Sequence, residues 1–154
     1  MIETITLPPL TVIGILVEAH WNELHTAVPA AWTRLFDSGL EPVAGGVRDG
    51  FVEVSISREH GFYRELVGIV AESHMLVPQR MVRLDIPSNT YLTIDHDGPL
   101  VGIAQGFGAL YDHASANGLE ATDFKLDFGY QPGLPAGRHQ LHVGLAPFLP
   151  PHRS

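Results

Sequence analysis

Asp123-Phe124-Lys125-Leu126-Asp127-Phe128-Gly129-Tyr130 is the stretch whose alternation decides how the chain folds. In an extended backbone Phe124, Leu126, Phe128 and Tyr130 fall on one side, and Lys125, Asp127 and Gly129 on the other, the period of two of a half-buried strand. One side belongs to a core. The other sets a cation and a carboxylate two residues apart, and further segments offer tyrosines and acids at the same parity.

Working outward, 154 residues with 45% hydrophobic content suffice for one domain with a real core. Charged residues make up 17% and the formal net charge is -8, so neither attraction to a phosphate backbone nor direct nucleic-acid binding is expected. The absence of cysteine removes disulfides, thiolate nucleophiles and zinc-thiolate sites. The N-terminal residues lack the basic start and apolar stretch of a secretory signal, and no run reaches membrane-spanning length, so a cytoplasmic protein without membrane contact is expected.

Leu10 to Val17 is nearly unbroken apolar sequence rich in β-branched residues and reads as a buried strand, with Ala19 to Thr26 as a connection. Pro29 suits a first helical turn, Trp32, Leu35 and Phe36 recur at helical spacing, and Gly39 stands where a cap belongs. Glu41 to Gly50 reads as a loop. Phe51 to Ser57 alternates, turns near His60-Gly61, and returns as Phe62 to Ala71. Glu72 to Arg80 crosses over to a short strand, Met81 to Ile86, stopped by Pro87. Thr90 to His96 is then a strand, Pro99 to Asn117 a helix closed by Gly118, and a Pro/Gly turn after the Asp123 strand leads to a last strand, His139 to Ala146. The tail from Pro147 reads as frayed.

The two halves of the chain match in places. Gly39-Leu40-Glu41 answers Gly118-Leu119-Glu120, a shift of 118 − 39 = 79 that also sets Thr11-Val12 against Thr90-Tyr91. The expected architecture is α+β: duplicated βαββ units, about 1–77 and 78–154, forming an antiparallel sheet in a single domain with two helices on one face and a ligand cleft between the halves. If the helices cover the side of Val52, Val54, Ile56, Leu126 and Phe128, the open side gathers Glu53, Tyr63, Glu65, Tyr91, Thr93, Lys125, Asp127 and His139. Aromatic rings among carboxylates suit a flat organic cation. The same list also describes the outward residues of a one-sided sheet.

These residues resemble the GyrI-like or AraC-type effector-binding domains of multidrug-sensing transcription regulators, within the SOUL-like superfamily. The resemblance spans most of the chain and rests on the duplicated unit, on Ile86-Pro87 followed by Tyr91-Leu92-Thr93-Ile94, on Gly98-Pro99 opening the second helix, and on Tyr63-Arg64. It implies a small-molecule binding protein whose hydrophobic or cationic ligand lies between the halves, held by aromatic rings and a glutamate on the strand after the second helix. Tyr91 matches the family's aromatic, with Tyr63 a looser match and His139 where some members place another ring. At the glutamate position stands Lys125, so either Asp127 takes the charge or Lys125 meets an anionic or carbonyl-bearing ligand.

The resemblance also implies transcription regulation, yet the first strand begins almost at once, so a stand-alone domain that does not itself bind DNA is expected. Any regulator or protein partner is then separately encoded, as for a gyrase-inhibitor-like modulator. Relatives that hydrolyse cyclopropane-bearing compounds supply an enzymatic alternative, for which Glu65 and Asp127 are candidate bases and Tyr63, Tyr91 and Tyr111 candidate acids. Nine histidines match no recognised metal or haem ligand set, so neither metal nor cofactor is expected. Trp21 is assigned to a connection and Trp32 to the core, with the cleft edge open to both.

Overall fold

A computed structural model of the chain describes residues 1–43 and 50–146. The elements are β1 (Glu3–Leu7), β2 (Leu10–His20), α1 (Trp21–Asp37), β3 (Phe51–Glu59), β4 (Phe62–Ala71), β5 (Val82–Ile86), β6 (Asn89–Gly98), a short 3-10 turn (Leu100–Gly102), α2 (Ile103–Ala116), β7 (Lys125–Phe128) and β8 (Gly137–Gly144). The strands form one eight-stranded sheet in the order β1-β6-β8-β7-β3-β4-β2-β5. Every neighbouring pair is antiparallel. This is the expected α+β architecture. Most of the loop expected from Glu41 to Gly50, and the tail from Pro147, lie outside the described residues.

Each βαββ run lays its strands down in the same spatial order, β3-β4-β2 in the first and β7-β8-β6 in the second. The shift of 79 extends to two strands that alternation leaves unmarked or short: β1 and β5 begin 82 − 3 = 79 residues apart and end 86 − 7 = 79 apart. They are exchanged. β1 pairs with β6, Glu3 opposite Thr93, and β5 pairs with β2, Leu10 opposite Ile86.

The first helix is longer than its proline suggests. α1 begins at Trp21, whose N–H donates to the carbonyl of Gly61 in the β3–β4 turn, and Pro29 sits in its interior. Proline at that position withholds the intrahelical bond to the carbonyl of His25 without ending the helix. The apolar spacing had continued backward through Leu24 and Val28, which pack with Ala31, Trp32 and Leu35 on the same core.

Both helices lie on one face of the sheet, and it is the face opposite to the one expected. Ile15, Val67, Glu53, Asp127, Leu141 and Ile94 face one another across successive strands, so their side chains project to one side. Ile15 and Val67 pack with α1, and Leu141 and Ile94 with α2. Val52, Val54, Ile56, Leu126 and Phe128 instead form a core made of strand residues, closed by Leu7, Leu10, Val12 and Ile86 as the sheet curls over itself. The backbones of β2 and β4 approach closely where Gly14 opposes Gly68: a Cβ at Gly14 would lie 2.0 Å from the Val67 carbonyl oxygen. Alternation shows that two faces differ and not which one meets a helix, which is why the helix face was misassigned.

Candidate functional site

Between α1 and α2 the helix face is not filled. A cavity of about 990 Å³ opens there, walled by Leu24, Val28 and Trp32 of α1 and by Ile103 and Phe107 of α2. Its floor is the polar side of β3, β4 and β7: Glu53, Ser55, Glu65 and Lys125. Trp21, 69% exposed, and Val101, 86% exposed, stand at its mouth.

The strand register assembles the floor. Ser55 is the direct neighbour of both Glu65 and Lys125, so Glu65, Ser55 and Lys125 form one cross-strand row. The next row on that face holds Val67, Glu53 and Asp127. Two rows of a sheet thus bring three carboxylates and one ammonium together beneath an apolar cavity.

The carboxylates differ in what holds them. Asp127 is buried and fully engaged: His139 Nδ1 donates to its Oδ1 at 2.7 Å and the Tyr130 hydroxyl to its Oδ2 at 2.8 Å. Burial raises its pKa, with the His139 and Tyr130 bonds pulling the other way. Glu53 accepts from Trp32 Nε1 at 3.2 Å. Burial, and then the charge of Asp127 beside it, push its pKa up to about 7. Glu65 is buried, and its Oε2 has no hydrogen-bond partner. Burial first and the neighbouring Glu53 second raise its pKa to about 8. Near neutrality this floor therefore holds protons that carboxylic acids in water have lost.

Lys125 does not neutralise them by contact. Its Nζ donates to the Asp123 carbonyl at 3.2 Å and to the Tyr111 hydroxyl at 3.5 Å, and lies 5.7 Å from the Tyr111 ring centroid. Among the described residues no carboxylate lies within ion-pair distance of it. Burial lowers its pKa, opposed by the more distant charge of Glu65.

Of the residues expected on one face, Glu53, Glu65 and Lys125 line the cavity, with Asp127 and His139 buried beneath. Tyr63 shares the face but lies outside the lining, 5.6 Å from Trp21 ring to ring. Tyr91 and Thr93 are corrected. Tyr91 is 1% exposed in the strand core of the opposite face, its ring against Phe124 and His142, so it has no access to the cavity. Thr93 has the same parity and lines a small depression with Glu3 and Asp95.

Tyr130 was placed with Phe124, Leu126 and Phe128, yet it stacks on Trp32 at 4.4 Å and lines the cavity. Gly129 is the cause. Its φ of 118° leaves the strand path, and a Cβ there would lie 2.3 Å from the Arg138 carbonyl oxygen. The alternation breaks at that residue and turns Tyr130 to the other face. A glycine inside an alternating strand is the signal that marks such a break. Trp32, read at helical spacing with the cleft edge left open to it, stands in the cavity wall, and Phe107 of α2 joins it there. Among the described residues no group of three or more His, Cys, Asp or Glu side chains is placed to hold a metal ion.

A family model for integron-associated effector binding proteins matches residues 3–141. The chain belongs to that family. Its fold is that of the GyrI-like effector-binding domains, as three solved structures illustrate. SAV2435, bound to tetraphenylphosphonium, superposes with a TM-score of 0.73 at 12% identity, covering 95% of this chain and 94% of that one. The EcmrR C-terminal domain gives 0.69 at 11% identity, covering 96% of this chain and 98% of that one. An integron cassette protein from Vibrio cholerae gives 0.64 at 11% identity, covering 94% and 95%. No curated protein matches the chain significantly. No helix among the described residues is long and apolar enough to cross a membrane.

Proposed function

We propose that this protein binds hydrophobic organic cations in the cavity between α1 and α2. The observation that carries the reading is the pairing of apolar walls with an acidic floor: Trp32, Tyr130 and Phe107 surround Glu53 and Glu65. An apolar cation desolvates cheaply against such walls, and its charge stabilises the ionised carboxylates that burial disfavours. The acceptor left over on Glu65 is the natural contact for that charge. In this reading Glu65 and Glu53 carry the charge that the resemblance had assigned to a glutamate at the Lys125 position, while Asp127 orients the floor through Tyr130 and His139. The domain is one unit of two halves, about 1–77 and 78–154, with the ligand held where their helices face each other. That a structural relative is bound to tetraphenylphosphonium supports the ligand class.

Calorimetric titration with tetraphenylphosphonium and with tetraphenylborate, matched in size and shape but opposite in charge, tests the proposal. The cation is expected to bind and the anion not, and Glu65→Gln to weaken the cation by about tenfold or more, the loss of one charge-assisted contact. Affinity should rise between pH 6 and 9, because the cation favours the ionised forms of groups that titrate at about 7 and about 8. Binding of both ions with equal strength would reject the charge argument. Binding of neither would turn attention to a protein partner for the apolar mouth at Trp21 and Val101.

A further inference from the structure

The polar row on the cavity floor has two ends of opposite sign, and a simple cation uses only one. At one end Glu65 presents an acceptor without a partner; at the other stands Lys125, with the Ser55 hydroxyl between them. Two strand spacings put about 9–10 Å between the outer Cα atoms. The Lys125 ammonium has three donors. One is used well, on the Asp123 carbonyl at 3.2 Å, and one reaches the Tyr111 hydroxyl only at 3.5 Å. The side chain lines the cavity while its charge is unmatched by any carboxylate within ion-pair distance among the described residues. A site for cations alone gains nothing from a lysine, since the two charges repel in a medium of low dielectric.

We propose that the cavity selects amphoteric ligands, an aromatic or apolar cation seated over Glu65 and carrying a carboxylate or other strong acceptor that reaches Lys125. This rests on the cation-binding reading and adds a second, separate contact to it. Lys125 is then a specificity-determining residue. It rewards an acceptor at a fixed distance from the cation and penalises cations that lack one. The row geometry sets that distance, because Glu65, Ser55 and Lys125 belong to three adjacent strands whose spacing the ladder fixes.

The experiment compares two phosphonium ions, (carboxybutyl)triphenylphosphonium and pentyltriphenylphosphonium, which differ in a terminal carboxylate, by calorimetry on wild type, Lys125→Met, Lys125→Arg and Glu65→Gln. Next to two glutamates in a chain of net charge -8, a ligand carboxylate should by default weaken binding. The proposal expects the reverse: the carboxylate-bearing ion binds wild type about tenfold more tightly than its alkyl counterpart. Lys125→Met should abolish that preference and tighten the alkyl ion, Lys125→Arg should keep it, and Glu65→Gln should weaken both ions. Equal affinities in wild type, weaker binding of the carboxylate form, or a preference that survives Lys125→Met would overturn the inference while leaving cation binding intact. Failure of both phosphonium ions to bind would overturn the cation reading itself. Thermal melting of each variant without ligand distinguishes lost binding from lost folding.

Discussion

The two faces of the central strands β3 and β7 are built from the same eight positions read alternately, and they differ in almost every physical respect. On one face Val52, Val54, Leu126 and Phe128 are each 0% exposed in a core composed of strand residues. On the other Glu53, Ser55 and Lys125 look into a cavity, with Asp127 beneath, and the covering helices stand apart instead of meeting. The first face is optimised for density. The second leaves carboxylates in an environment that raises their pKa, an arrangement that costs stability in the empty protein and that the proposed cation would relieve. The packed core and the proposed binding face are thus separated by a single step along the strand.

Substitutions one residue apart should break that comparison or sharpen it. The largest effect belongs to the packed face: Phe128→Ala should cost about 3–5 kcal/mol in denaturant unfolding, by cavity formation in a core without slack. The affinity of whatever fraction still folds should be unchanged.

Next in size is a pH effect on the cavity face. Glu65 and Glu53 hold protons more tightly folded than unfolded, their ordinary value of 4.5 rising to about 8 and about 7. The folded state therefore binds more protons through this window, and stability falls as pH rises from about 4.5 toward 8. Glu65→Gln should flatten that decline and leave the protein more stable than wild type at pH 8, read from melts at several pH values. A wild-type protein that gains stability over the same range would show the carboxylates to be better solvated than their burial implies.

Trp32→Phe keeps most of the ring stack on Tyr130 but removes the donor to Glu53, and should cost about 1 kcal/mol and raise the pH at which Glu53 ionises. Smallest of all is Thr93→Ala, on the face away from the cavity. It should leave cation affinity unaltered and shift stability by no more than about 0.5 kcal/mol. A lost binding signal there would restore Thr93, and with it Tyr91, to the site.

How far these faces could be read from sequence follows from what alternation encodes. It identified β3, β4 and the core of β7, and it grouped Glu53, Glu65, Lys125 and Asp127 correctly, because cross-strand neighbours inherit parity from the ladder. It did not say which side meets a helix, since an apolar strand face packs equally well on a helix or on its own curled sheet. It carried Tyr130 to the wrong side because parity is counted through Gly129, where the backbone departs from the strand. It also put Tyr91 on the open side, where the resemblance matched it to a family aromatic, whereas its neighbour Leu92 is the one that packs with α2. The helix start at Trp21 lacked a signal, as His20 supplies no side-chain cap and the turn carbonyl of Gly61 takes that part from 40 residues away, 61 − 21 = 40.

The exchanged edge strands bear on how the chain reaches this structure. Glu3 finds Thr93, a separation of 93 − 3 = 90 residues, and β5 returns to β2 across most of the first half, so neither half finishes its own sheet edge until the other has been made. Contacts that distant in sequence close large loops before they gain anything, and such topologies fold slowly, in milliseconds to seconds. Until β1 arrives, the outer edge of β6 is an unpaired strand open to other chains. Refolding should therefore be slow and sensitive to protein concentration, while the finished protein, each half latched by the other's first strand, should come apart as one cooperative unit.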